Sequence, residues 1–158
     1  MKKVFLTLSL CLAFITMSAQ SFTWEQVVDI FEESIDEIGG DIEDQMGAMG
    51  IDLDIDTDYN KATKTFEIYF DFDMPEIVNA MDKNMLNQFR DVFVSSFISS
   101  AMDDPATLKS LLNAMDKANG KLKIIFQAKS GAKLIQKDVV VTAKDLKSFA
   151  TKNYGVKF

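Results

Sequence analysis

From Trp24 onward the apolar residues Val27, Val28, Phe31, Ile35, Ile38, Ile42, Met46 and Met49 recur at intervals of three and four, with acidic residues between them. That period predicts an amphipathic helix. Thr23 and Gln26 stand in a capping-box relation at its start, and Gly39-Gly40 is expected to bend or break it. At Gly50 the period changes to strict alternation. Ile51, Leu53, Ile55 and Thr57 share one side, and Asp52, Asp54, Asp56 and Asp58 share the other. After a polar turn near Asn60-Lys61, Phe66, Ile68, Phe70 and Phe72 oppose Glu67, Tyr69, Asp71 and Asp73. Two alternating runs joined by a short polar segment predict an antiparallel hairpin with one dry and one wet face.

Met74-Pro75-Glu76 then opens a long helix, with proline where its missing N–H costs little. Val78, Met81, Met85, Phe89, Val92 and Phe93 form its stripe, while Val94, Phe97 and Ile98 fall on a different side, so its far half needs cover on more than one face. Asp103-Asp104-Pro105 ends it. A further helix over 106–118 carries Leu108, Leu111, Leu112 and Met115, and Asn119-Gly120 supplies a left-handed cap. A second hairpin runs from Lys121 to about Lys129 and from Lys133 to about Thr142, turning at Ser130-Gly131, with a centre apolar on both sides. Thr142 and Asp145 start a last helix that turns Leu146 and Phe149 inward.

The fold class these elements predict is α+β: a four-stranded antiparallel sheet built from two β-hairpins, with helices packed on one face. A tandem αββα repeat is compatible with the spacing. Ala48-Met49-Gly50 precedes one hairpin and Ala118-Asn119-Gly120 the other, which divides the chain into halves 20–103 and 104–158. The pentapeptide Asn79-Ala80-Met81-Asp82-Lys83 recurs at 113–117, but out of register with that repeat, and reads as coincidence.

The N-terminus changes the compartment. Lys2 and Lys3, an apolar run from Val4 to Met17 and the small residues Ser18 and Ala19 have the layout of a signal peptide over residues 1–19. The run is shorter than a membrane span requires. Cys11 lies inside it and would leave with it, so the exported chain, a single domain over 20–158, would hold neither cysteine nor histidine. Such a domain depends on its apolar core in the periplasm or outside the cell, and no membrane span is expected after the leader is removed.

Charge is divided unevenly. Residues 20–80 hold seventeen acidic residues against Lys61 and Lys64, a net charge of −15, while residues 81–158 carry +6. If the hairpins share a sheet, acidic and basic strands could pair internally, Lys121, Lys123, Lys129, Lys133 and Lys137 lying along the second hairpin. Otherwise Asp52, Asp54, Asp71 and Asp73 form a face for a basic protein partner, or opposite halves of two copies meet as a homodimer. Asp54, Asp56 and Asp58 have the spacing of the first calcium ligands of an EF-hand loop. Tyr59 stands where that loop needs glycine and Thr65 where it needs glutamate, so no metal site is assigned.

Without histidine or cysteine in the exported part, histidine-dependent triads, cysteine nucleophiles and ordinary zinc sites are excluded, and no phosphate-binding glycine loop is present. No cofactor is implied. The acidic balance disfavours nucleic acid. Met81, Met85, Phe89, Phe93 and Phe97 form a stripe that can serve as core or line an adaptable pocket for an apolar or amphipathic ligand. The expected function is therefore a non-catalytic exported binding or interaction module using the charged sheet face or that pocket. The alternative is a small carboxylate-dependent, glycosidase-like hydrolase of the cell envelope, for which no carboxylate pair stands out.

Overall fold

A computed structural model describes residues 21–158, and the expected signal peptide lies outside the described residues. The elements in order are α1 (Trp24–Ala48), β1 (Leu53–Asn60), β2 (Thr65–Phe72), α2 (Pro75–Ala80), α3 (Lys83–Ala101), α4 (Pro105–Ala118), β3 (Lys121–Ser130), β4 (Lys133–Thr142) and α5 (Ala143–Tyr154). The architecture is α+β, with one four-stranded sheet in the order β1-β2-β3-β4.

The sheet is mixed rather than antiparallel throughout. β1 pairs antiparallel with β2 and β3 with β4, but β2 and β3 run parallel, Phe66 beside Leu122 and Phe72 beside Ala128. Hydrophobic alternation specifies which face a residue takes and is silent on strand direction. Direction is set by the crossover of α2, α3 and α4, which returns the chain to the end of the sheet where β2 began, so that the Lys121 N–H donates to the Lys64 carbonyl. The parallel junction also bears on the repeat. With both apolar faces on the same side, no rotation lays β3-β4 over β1-β2 in the same order and direction, as superposable halves would require.

Two helix expectations change as well. α1 keeps the capping box, the Thr23 hydroxyl accepting from Gln26 N–H and the Gln26 side chain accepting from Thr23 N–H at 2.9 Å. It then runs unbroken through Gly39-Gly40. Trp24, Val27, Val28, Phe31, Ile35 and Ile42 on one stripe are all buried, and that packing outweighs the roughly 1 kcal/mol that each interior glycine costs. The expected single helix after Pro75 is instead two, α2 and α3, separated at Met81-Asp82, where Asp82 becomes an N-cap accepting from Met85 N–H. Lys137 completes the break, its ammonium donating to the carbonyls of Asn79 and Met81. The same pentapeptide at 113–117 stays helical within α4, with Met115 buried in the core. Tertiary context, rather than the five residues, decides the outcome.

Helices cover the inner face of the sheet. Phe66, Ile68, Phe70 and Phe72 of β2 and Leu122, Ile124, Phe126 and Ala128 of β3 form the floor of the core. In α3 the side carrying Val94, Phe97 and Ile98 is buried together with Phe89, while Met85 and Val92 of the other stripe are exposed. The α4–β3 turn is left-handed at Asn119 (φ 54°) rather than at Gly120. Gly120 serves a different purpose: the Trp24 ring lies so close that a Cβ there would stand 2.6 Å from it.

Candidate interaction face

The opposite face of the sheet carries no helix-facing stripe and follows directly from the strand registers. Across it run Asp58, Glu67, Lys123 and Val140; then Asp56, Tyr69, Ile125 and Asp138; then Asp54, Asp71, Gln127 and Gln136. Asp52 and Asp73 extend the acidic pair of strands, joined by a hydrogen bond from Asp73 N–H to the Asp52 carbonyl at 3.2 Å. In this ladder acid faces acid at Asp52/Asp73, Asp54/Asp71 and Asp58/Glu67. Like charges directly opposite on neighbouring strands are destabilising.

The four aspartates singled out from sequence are brought together. Asp52, Asp54, Asp71 and Asp73, with Phe72 and Lys129, line one open depression of about 240 Å³. Gln127 donates to Asp71 at 3.3 Å, the cross-strand contact that partly relieves the Asp54/Asp71 pair. Among the described residues no group of three carboxylates converges closely enough to hold a metal ion. Asp56 and Asp58 turn back on their own strand instead, accepting from Thr57 N–H at 2.8 Å and Tyr59 N–H at 2.9 Å.

Internal neutralisation reaches this face at one place among the described residues, an ion pair of 3.8 Å between Lys123 and Glu67. Of the five lysines along the second hairpin, Lys121, Lys123 and Lys129 alternate to the acidic side of the sheet. Lys133 and Lys137 fall on the opposite side, where Lys137 braces the break between α2 and α3. Sequence alternation held this information, because Lys137 shares its parity with Ile135, Val139 and Val141.

Tyr69 was not singled out in the sequence, although its place between Glu67 and Asp71 marks it as a member of the polar set. Its hydroxyl donates to Glu67 at 2.6 Å. That hydrogen bond, then burial, then the charges of Glu67, Asp58 and Asp56 push its ionisation up to about 12.

The Met/Phe stripe is divided between core and surface. Phe89 is buried edge-on against Phe126 at 4.9 Å, and Phe97 is buried 5.7 Å from Phe31. Phe93 stacks on Phe97 from a half-buried position, Met81 packs at the margin of the core and Met85 is exposed. A basic depression that the sequence did not reveal lies between α4, α5 and the C-terminal tail. It is lined by Lys144, Lys147, Lys152, Lys157 and Phe158, with Lys147 tied to Asp116 at 2.6 Å.

Among the described residues two carboxylates have shifted acidity, and both are held in the ionised form. The hydrogen bond from Lys64 holds Glu25 below the usual carboxylate range, and those from the Thr107 hydroxyl and backbone do the same for Asp104 at the start of α4. A general acid needs the opposite shift. Among the described residues no helix is long and apolar enough to cross a membrane. No protein-family model matches the chain, and searches of curated proteins and of solved structures return no significant match.

Proposed function

We propose that this chain is an exported, non-catalytic interaction module whose acidic sheet face docks a basic segment of a partner protein. One observation supports this reading above the others: the first hairpin sets acid against acid in three of its four outward pairs, at 52/73, 54/71 and 58/67, with Asp56 beside Tyr69 in the fourth. A sheet under selection for stability alone would place opposite charges there, and local rules broken without structural gain are characteristic of functional surfaces. A lysine- or arginine-rich segment lying along β1 and β2 relieves those repulsions on binding. The module then gains in the complex what it lacks alone. Export by the residue 1–19 leader would place that partner in the periplasm or outside the cell.

The test compares stability with binding. Replacing Asp52, Asp54, Asp71 and Asp73 together by asparagine removes two like-charge pairs, each costing about 0.2–1 kcal/mol. The variant is expected to unfold at higher urea while losing salt-sensitive binding of a fluorescent oligolysine peptide measured by anisotropy. A variant that is less stable than the parent, or that binds the peptide equally well, refutes the assignment of this face.

A further inference from the structure

The two edges of the sheet are finished differently. The odd positions of β1 turn their backbone outward, and three of those N–H groups are occupied by carboxylates: Ile55 N–H by Glu43 of α1 at 2.8 Å, Thr57 N–H by Asp56 and Tyr59 N–H by Asp58. A strand whose outward donors are already satisfied by negative groups is closed to a further strand. β4 is the reverse. The hydrogen bond from Lys121 N–H to Lys64 turns the odd positions of β3 toward β2 and the even ones toward β4. In β4 the odd positions therefore bond to β3, and the backbone of Leu134, Gln136, Asp138 and Val140 turns outward. All four residues are exposed, and among the described residues their N–H groups have no partner.

We propose that β4 pairs antiparallel with β4 of a second copy about a twofold axis at Lys137, joining two sheets into one of eight strands. The occupant follows from the order of residues along the edge. A twofold at Lys137 sets Leu134 against Val140 of the second copy and Gln136 against Asp138, each twice, and every one of these is a pair of outward-turned residues. Antiparallel geometry then gives about eight main-chain hydrogen bonds, two for each pair. Leu134 and Val140 are the exposed apolar side chains of this edge, at 49% and 39% exposure, and the register covers each with the other. On the inner side Ile135 meets Val139 of the second copy. Moving the axis by one residue to Gln136 sets Leu134 against Asp138, and moving it to Asp138 sets two aspartates against each other. Lys137 meets its own copy on the axis, but each ammonium is engaged by Asn79 and Met81 of its own chain. This dimer leaves both acidic β1 edges at the far ends, so it is independent of the docking face proposed above.

The experiment is sedimentation velocity on the chain purified from the envelope of exporting cells. The parent is expected to sediment as a dimer. Leu134→Lys and Val140→Lys each weaken the dimer at least tenfold, since each places two desolvated ammonium groups against apolar side chains. Gln136→Lys, facing Asp138 of the second copy, tightens it about two- to thirtyfold through two opposite-charge cross-strand pairs. Asp56→Lys on the opposite edge leaves the dimer constant unchanged. A parent that stays monomeric up to its solubility limit overturns the proposal. So does a dimer that Asp56→Lys weakens and the β4 changes do not, or one that Gln136→Lys weakens. Circular dichroism confirms that each variant is folded; should Val140→Lys unfold, the exposed positions 134 and 136 decide the result alone.

Discussion

Gly120→Ala tests the packing that anchors the first helix to the sheet. An added Cβ would stand 2.6 Å from Cε2 of Trp24 and 2.7 Å from Cδ2, where ordinary contact begins at 3.4 Å, so the ring must retreat by about 0.8 Å. It has little room to do so, because Trp24 is 2% exposed and lies among other core residues. Its indole N–H is buried with no hydrogen-bond partner among the described residues, so shape alone holds the ring in place. Overpacking of this kind costs about 1–3 kcal/mol, against which alanine recovers about 0.4–1 kcal/mol from the unfolded chain. A net loss of about 1.3 kcal/mol is expected, read as a lower urea midpoint at unchanged slope by far-ultraviolet circular dichroism. Trp24 is the sole tryptophan, so its fluorescence should also shift in the folded variant. In a Trp24→Leu background the ring is gone, and Gly120→Ala should become stabilising by about 0.4–1 kcal/mol, the unfolded-chain effect alone. An unchanged midpoint in the parent, or an equal loss in both backgrounds, would refute the close-approach argument.

Lys137→Met should cost about 1.5–3 kcal/mol in urea unfolding, because it strips the charged donor from the carbonyls of Asn79 and Met81 at the break between α2 and α3; a loss below about 0.5 kcal/mol would mean that Asp82 alone sustains the break. Tyrosinate absorbance should show a late phase near the value of about 12 reached by Tyr69, and Tyr69→Phe should remove that phase. Because the folded value lies above the ordinary 10.0, the folded chain holds this proton longer than the unfolded chain. The stability linked to Tyr69 is thus complete below pH 10 and is lost as the pH rises toward 12. Glu67→Gln should move the late phase earlier, since the Glu67 carboxylate is the largest cause of the shift.

The faces of the sheet were legible in the sequence because the side-chain period of a strand is two and most apolar positions obeyed it, Ile125, Leu134 and Val140 being the outward exceptions. Phe66 to Phe72 and Leu122 to Ala128 lie in the core as alternation requires, and the apolar centre of the second hairpin belongs to β3, an interior strand whose outward Ile125 is buried. Long-range geometry was not legible. Neither the parallel junction nor the break at Met81-Asp82 has a local cause: the first depends on where three helices return the chain, the second on Lys137 from a strand more than fifty residues away. The four aspartates could be grouped from sequence because one hairpin carries them all. Lys129, which joins their depression, could not be grouped before the strand order was known.

That strand order also decides whether the uneven charge of the chain survives folding. Opposite charges spread over two hairpins would cancel if acidic and basic strands were direct neighbours. Here β1, with Asp52 beside its start and Asp54, Asp56 and Asp58 along it, lies at one edge, and the lysines of β3 are two strands away. At 4.7–4.9 Å per strand that separation is about 10 Å, close to a Debye length at physiological salt and beyond direct pairing. β2 lies between them and is itself acidic on its outer side, so Lys123 is paired with Glu67 and does not reach Asp58 in the same row. Lys133 and Lys137 alternate to the inner side and contribute nothing to this face. The strand order thus preserves an acidic edge that interleaving the strands of the two hairpins would have neutralised. A basic partner segment would meet that edge with most of its negative charge uncompensated.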